Sequence, residues 1–298
     1  ASGTNMGTTC LPGLISRTSR TQHSRQWHHH SSEGIDTILD AREGTMSGTI
    51  NDDVAYGQTT IPVGIRSRFV DNNNGITMHI LEAGFEQPGR PLVLLMHGYP
   101  ELAYSWRKVM PALAAAGYHV IAPDQRGCGR TTGWDDNYDT DLAPFRMVSM
   151  VRDALALVAA FGYRSVAGVI GHDFGSPVAA WCALARPDVF SSVVLMSAPF
   201  GGAPALPFDT ERSGDGPAPE RPTPSIDEAL AALPRPRKHY QWYYSGREAD
   251  ADMRFAPQGL QAFLRAYYHH KSADWPGNRP HPLAGWTAQA LAELPTYY

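Results

Sequence analysis

Val166-Ala167-Gly168-Val169-Ile170 runs straight into Gly171-His172-Asp173-Phe174-Gly175-Ser176, and Pro177 then opens a largely apolar run that continues to Ala185. Taken in order, that is a strand, a tight turn and a helix. A reactive side chain is exposed when it sits at the apex of such a strained turn, and small residues two before and two after it let the backbone close. Gly171 and Gly175 hold those positions around Asp173. No G-x-S-x-G occurs in the chain and Ser176 lies off the apex, so the chemistry indicated is attack by the Asp173 carboxylate itself rather than by a serine. The plainer reading is a strand-to-helix turn in which Asp173 only caps the helix.

Working outward, Phe69-Val70, Ile76 to Leu81, Leu92 to Met96, Val120 to Ala122 and Val193 to Met196 are further short apolar runs bounded by Gly, Asp or Pro. They predict strands. Ser105 to Ala116, Val148 to Phe161 and Pro177 to Ala185 carry apolar residues three or four apart and predict helices, the second with Val148, Val151, Leu155, Val158 and Phe161 on one face. Strands alternating with helices, the later strands continuously apolar, predict an α/β fold with a mostly parallel sheet covered on both faces. Residues 1–48 are rich in Ser, Thr, Gly, Arg and His and read as a disordered leader without a signal-peptide core, Met46 being the expected native start. In it, His28-His29-His30 reads as incidental rather than metal-binding. Residues 49–200 form the expected core. From 201 to 224 there are six prolines and four glycines, a connector; Ser225 to Leu233, Arg237 to Ser245, Pro257 to Tyr268 and Leu283 to Leu294 then predict helices, making 201–298 a connector and helical cap.

Two more motifs follow the expected strands: His97-Gly98-Tyr99-Pro100 after Met96, and Gly127-Cys128-Gly129-Arg130-Thr131 after Val120 to Ala122 and Asp124. With the Asp173 turn, this order resembles the α/β-hydrolases of the epoxide hydrolase and haloalkane dehalogenase group, epoxide hydrolases most closely, from about Arg66 to Tyr298. The resemblance implies an α/β-hydrolase core under a helical cap. It implies action on a small-molecule epoxide and water, without metal or organic cofactor, and a homodimer is among the assemblies it allows. Asp173 would attack a saturated carbon, and water would then hydrolyse the resulting ester to release a vicinal diol. By the same resemblance the backbone N–H groups of Tyr99 and Phe174 form the oxyanion hole, each such donor being worth roughly 100–1,000-fold in rate. A cap tyrosine protonates the departing oxygen. The Tyr240-Gln241 pair nominates Tyr240, with Tyr243 or Tyr244 as the alternatives, since 240 and 244 share a helix face. Substrate-binding positions implied are His97, Pro100, Trp106, Gln241 and Tyr244; a second cap tyrosine is implied without a clear place.

The group draws its water-activating histidine and the partnering acid from strands after the cap. Here His239, His269, His270 and His281 all lie in the cap-like region, so the expectation is a chain that lacks the C-terminal core strands and stalls at the ester. Rival readings are a haloalkane or haloacid dehalogenase using the same Asp173, disfavoured because Phe174 stands where those relatives carry Trp or Arg, and a non-catalytic binding protein on a hydrolase scaffold.

Composition narrows the partners. Lys+Arg number 25 against 29 Asp+Glu, net −4, with no long basic face, so nucleic acid is not expected. Hydrophobic residues at 43% and charged ones at 18% indicate a globular chain, and runs such as Pro91 to Met96 and Ser192 to Met196 fall far short of the ~20 residues of a membrane helix. Cys10, Cys128 and Cys182 are odd in number and form no C-x-x-C, so a reducing, cytoplasmic setting is expected. Thr132 replaces the third glycine of a dinucleotide fingerprint, and Thr140 and Arg146 break a calcium loop among Asp135, Asn137, Asp139 and Asp141. Asp124, Arg126 and His172 read as braces.

Overall fold

The computed structural model describes residues 56–57, 59–71, 74–198, 200–202 and 224–296. The leader with its histidine triplet, Cys10 and nearly all of the connector lie outside the described residues. Six strands form one sheet: β1 (Ile65–Asp71), β2 (Thr77–Ala83), β3 (Leu92–Met96), β4 (His119–Pro123), β5 (Gly168–His172) and β6 (Val193–Met196), in the spatial order β1-β2-β4-β3-β5-β6. β1 with β2 and β2 with β4 are antiparallel, while β4, β3, β5 and β6 run parallel to their neighbours. The apolar runs of the sequence set these strands, although the fifth starts at Gly168 and Val166 makes only an isolated bridge to Phe190.

Helices α1 (Met110–Ala115), α2 (Met147–Ala160) and α3 (Gly175–Ala185) cover the sheet. Leu92, Leu94 and Met96 join one buried cluster with α2 and α3; the alternate residues Val93 and Leu95, also buried, face the other side, where α1 packs on β2 and β4. The expected helix from Ser105 to Ala116 is instead a 3-10 turn, Ala103–Lys108, followed by α1. Pro111 explains the break, because its ring clashes with the carbonyl four residues back in a continuous α-helix. In α2 the inward face is also corrected: Met150, Val151, Ala154, Leu157 and Val158 are buried, and Val148 is 64% exposed. The face follows Asp153, which is buried in α2 and makes two bonds, 2.7 and 2.8 Å long, to Arg126.

Beyond the connector come α4 (Ile226–Ala231), α5 (Tyr240–Tyr244), α6 (Ala249–Arg254), α7 (Leu260–Lys271) and α8 (Ala288–Leu291). Ser225 and Glu228 close a capping box on α4, and Thr287 caps α8. α6 has no counterpart among the expected helices. These helices are tied to the loop after β4 by Tyr138 Oη donating to Ser245 O at 2.9 Å and by Arg247 against Asp139 at 2.7 Å. That loop is the one reminiscent of a calcium site; Asp135 accepts from Thr140 Oγ1 at 2.6 Å within it. Among the described residues no strand follows β6, whose Val193, Val194, Leu195 and Met196 are 38–50% exposed on the sheet margin. No helix among the described residues is long and apolar enough to cross a membrane.

Candidate active site

The chain leaves β3 toward β4 on one side and leaves β5 toward β6 on the other, so the C-terminal ends of two adjacent parallel strands open a crevice between diverging connections. Both motif loops sit there. After β5, Asp173 takes φ 51, a left-handed conformation that a non-glycine residue holds only when its surroundings enforce it. Here they do. The Asp173 N–H donates to Met196 O at 2.9 Å, and the Ser176 N–H donates to Asp173 O at 3.0 Å. Buried Ser176 Oγ accepts the Met196 N–H at 3.0 Å and lies 2.8 Å from both Gly171 O and Met196 O, one of which takes its proton. A Cβ on Gly171 would lie 2.0 Å from Gly175 O, and one on Gly175 would lie 2.1 Å from Met96 O, so neither place admits a side chain.

The carboxylate of Asp173 turns to the loop after β3. Its Oδ1 accepts the Tyr99 N–H at 2.9 Å. Phe174, the other expected donor, caps α3 with its ring in the core cluster. Glu101 ties the two loops together: Oε2 accepts the Gly98 N–H at 3.1 Å and meets His172 Nδ1 at 3.0 Å. Burial works to raise the Glu101 pKa, but the bonds from His172 and Gly98 and the His172 charge outweigh it and hold it below the ordinary range. The Glu101 bond correspondingly raises His172 against the opposing effect of burial. His172 is thus a brace.

His97 lies inside the fold. It is 1% exposed, its Nε2 accepts the Gln125 N–H at 3.0 Å, and its Nδ1 therefore donates to Gly98 O at 2.7 Å. Burial lowers its pKa, and with both nitrogens engaged neither is left for substrate. Behind it, buried Asp124 accepts the N–H groups of Ala103 and Arg130 and the Nδ1 of His79 at 2.9, 3.0 and 2.7 Å. Ser67 Oγ lies 2.8 Å from His79 Nε2, giving the spacing of a Ser-His-Asp triad, but His79 is fully buried and the set acts as a brace. Trp106 is buried in the 3-10 turn, and its indole N–H has no hydrogen-bond partner.

Helices α5 and α7 supply phenols. Tyr244 meets Tyr99 edge-on at 5.3 Å, Tyr240 lies 6.0 Å from Tyr244, and Gln241 Nε2 donates to Tyr240 Oη at 3.4 Å. Tyr243, the third alternative, donates instead to Asp252 at 2.7 Å. Tyr268, which the sequence does not single out, donates to Pro100 O at 2.6 Å; burial first, then the charges of Glu101, Tyr244 and Asp173, push its phenol up to about 12. Pro100 is thereby engaged through its carbonyl. Lys271 Nζ donates to Tyr267 Oη at 2.8 Å. Tyr267 and Lys271 stand four apart on α7, the spacing that brings two side chains together on one helix face. Of the remaining histidines, His239 packs against Trp242 and Trp286, and His281 faces Glu293 at 3.8 Å on the surface. An open cleft of about 500 Å³ bordered by Asn74, Arg126, Asp141 and Arg152 contains none of the candidate residues.

Comparison with known proteins places this geometry. Over 150 residues the chain is 41% identical to epoxide hydrolase B of Mycobacterium tuberculosis, a match covering 48% of this chain and 40% of that one. Epoxide hydrolase A of the same organism is 41% identical over 134 residues, 44% of this chain and 38% of that one. The chain thus spans about two fifths of the length of the curated relatives it matches. The structure of epoxide hydrolase A from Mycobacterium thermoresistibile superposes with a TM-score of 0.51 at 31% identity, covering 76% of this chain and 63% of that one. An epoxide hydrolase from Vigna radiata gives 0.52 at 28% identity, over 74% and 59%. A family model described as the alpha/beta hydrolase fold matches residues 91–277, from the start of the parallel strands through the Asp173 turn to just beyond α7, and the chain belongs to that family.

Proposed function

We propose that this protein opens epoxides with Asp173 as nucleophile, the first half of hydrolysis to vicinal diols. The observation that carries the reading is the Asp173 carboxylate, held at a left-handed apex by Tyr99 and overhung by the phenols of α5 and α7. With Oδ1 fixed by the Tyr99 N–H, Oδ2 attacks the saturated carbon. A C–O bond forms, the ring C–O bond breaks, and its electron pair goes to the departing oxygen, which takes a proton from a cap phenol. That donor lies on the Tyr240–Tyr244 face, where Tyr244 is the member touching Tyr99. The named activity of the relatives supports the substrate class. When water attacks the ester carbon, the Tyr99 and Phe174 N–H groups serve as the oxyanion donors.

The test is exposure to an aryl epoxide, followed by intact mass measurement and peptide mapping. Expected is a gain of one epoxide mass on the peptide bearing Asp173, or, where turnover outruns accumulation, solvent ¹⁸O in its carboxylate; Asp173→Asn abolishes both. Ligand affinity unchanged in Asp173→Asn, with neither label ever seen in the parent chain, would establish a binding protein instead.

A further inference from the structure

A buried phenol that gives up its proton leaves a phenolate in a poorly solvated place, which is costly unless a charge is nearby. The cap holds such a charge. Lys271, the last residue of α7, places Nζ 2.8 Å from Tyr267 Oη and 4.5 Å from the centre of that ring. Tyr267 is 8% exposed, and its hydroxyl bonds that of Tyr244, whose ring meets Tyr99. An ammonium has three donors and no acceptor, so the Tyr267 oxygen accepts from Lys271. Burial raises the pKa of both phenols, and the bond between them adds to this at Tyr267 and works against it at Tyr244, as donation from Tyr267 to Tyr244 requires.

We propose that Lys271 is a positioning residue for epoxide opening: through Tyr267 it orients Tyr244 as donor to the ring oxygen above Asp173 and supplies the replacement proton. This rests on the function proposed above. As the ring C–O bond breaks, the oxygen takes the Tyr244 proton, Tyr244 takes that of Tyr267, and Tyr267 takes one from Lys271. The ammonium ends as an amine and is reprotonated from water. The titratable groups around this chain are Tyr267 and Tyr268 on α7, Tyr240 and Tyr244 on α5, and Glu101 and Asp173 on the core. Burial lowers the Lys271 pKa against the opposing pull of the two carboxylates, which brings its loss of charge below the ordinary lysine range.

The experiment follows the rate of Asp173 labelling by an aryl epoxide from neutral to alkaline pH. In the parent chain the rate falls on the alkaline side as Lys271 loses its charge. Lys271→Met slows labelling by about 10-fold or more at neutral pH, leaves the half-saturating epoxide concentration unchanged, and flattens the alkaline limb. Lys271→Arg keeps its charge throughout but cannot give up its proton, so it carries no limb in this range and stays below the parent rate at neutral pH. A folded Lys271→Met chain with the parent rate and parent limb overturns the proposal. Should that variant melt at room temperature, the parent limb persisting in Lys271→Arg overturns it equally. A parent chain that never acquires label refutes the epoxide reading itself, a different result from labelling indifferent to Lys271.

Discussion

Replacing Gly98 with alanine isolates the nucleophile's position from the rest of the fold. A methyl at Gly98 would lie 2.4 Å from Asp173 Cβ and 2.8 Å from its Oδ1, whereas ordinary contact begins at 3.4 Å. The intrusion is thus about 1 Å, and because it falls on Asp173 Cβ, which side-chain rotation does not move, the two loops must part and the Asp173 carboxylate is drawn away from the Tyr99 N–H. A misplacement of about 1 Å at a reacting atom costs on the order of 100-fold in rate. The assay is the second-order rate of Asp173 labelling by an epoxide, with a thermal melt on the same sample to show a folded chain. A folded Gly98→Ala protein that labels within about 3-fold of the parent, well short of that loss, would mean that the Tyr99–Asp173 geometry does not set the reactivity.

Three other outcomes are expected. Ser176→Ala leaves the Met196 N–H without its buried acceptor, costing about 1–3 kcal/mol and several degrees of Tm; an unchanged melt contradicts the tie between turn and strand. Asp124→Ala strips three donors of their shared acceptor, for a loss of about 3–5 kcal/mol in urea unfolding; a loss under about 1 kcal/mol rejects the bracing role. The Glu101–His172 pair makes stability depend on pH. Glu101 is depressed in the fold, so its contribution is present above the unfolded carboxylate value near ~4.3 and fades as pH falls through the folded one. His172 is raised, so its contribution is complete below ~6.5 and is lost as pH rises through its folded value. The stability difference between parent and Glu101→Gln should therefore be greatest between about pH 4.5 and 6.5 and shrink toward alkaline pH. With side chains 33% and 20% exposed, it amounts to about 1 kcal/mol; a flat difference across that span refutes the pairing.

What the sequence shows and what it hides divide by distance along the chain. The strands are legible because aliphatic runs ended by Gly, Asp or Pro are local signals, and the Asp173 turn is legible because backbone closure demands glycine at fixed spacing. Pro111 breaks a helix that periodicity alone carries through. The inward face of α2 is not legible, since Arg126, 27 residues away, decides which way Asp153 turns. Glu101 joins His172 across 71 residues, and Tyr268 reaches Pro100 across 168, leaving no periodic trace. The His97 motif marks a place of consequence but not its role, which only the neighbouring Gln125 amide reveals.

The open margin at β6 bears on more than the sheet. Met196 contributes the carbonyl that holds the Asp173 amide and the amide that meets Ser176, so the last residue of an exposed strand is also part of the nucleophile's scaffold. Margins of this kind fray before cores do. Amide exchange at Asp173 should consequently keep pace with that of Val194 to Met196 rather than with the protected β3. Reactivity at the turn then becomes a gauge of how firmly that border is held.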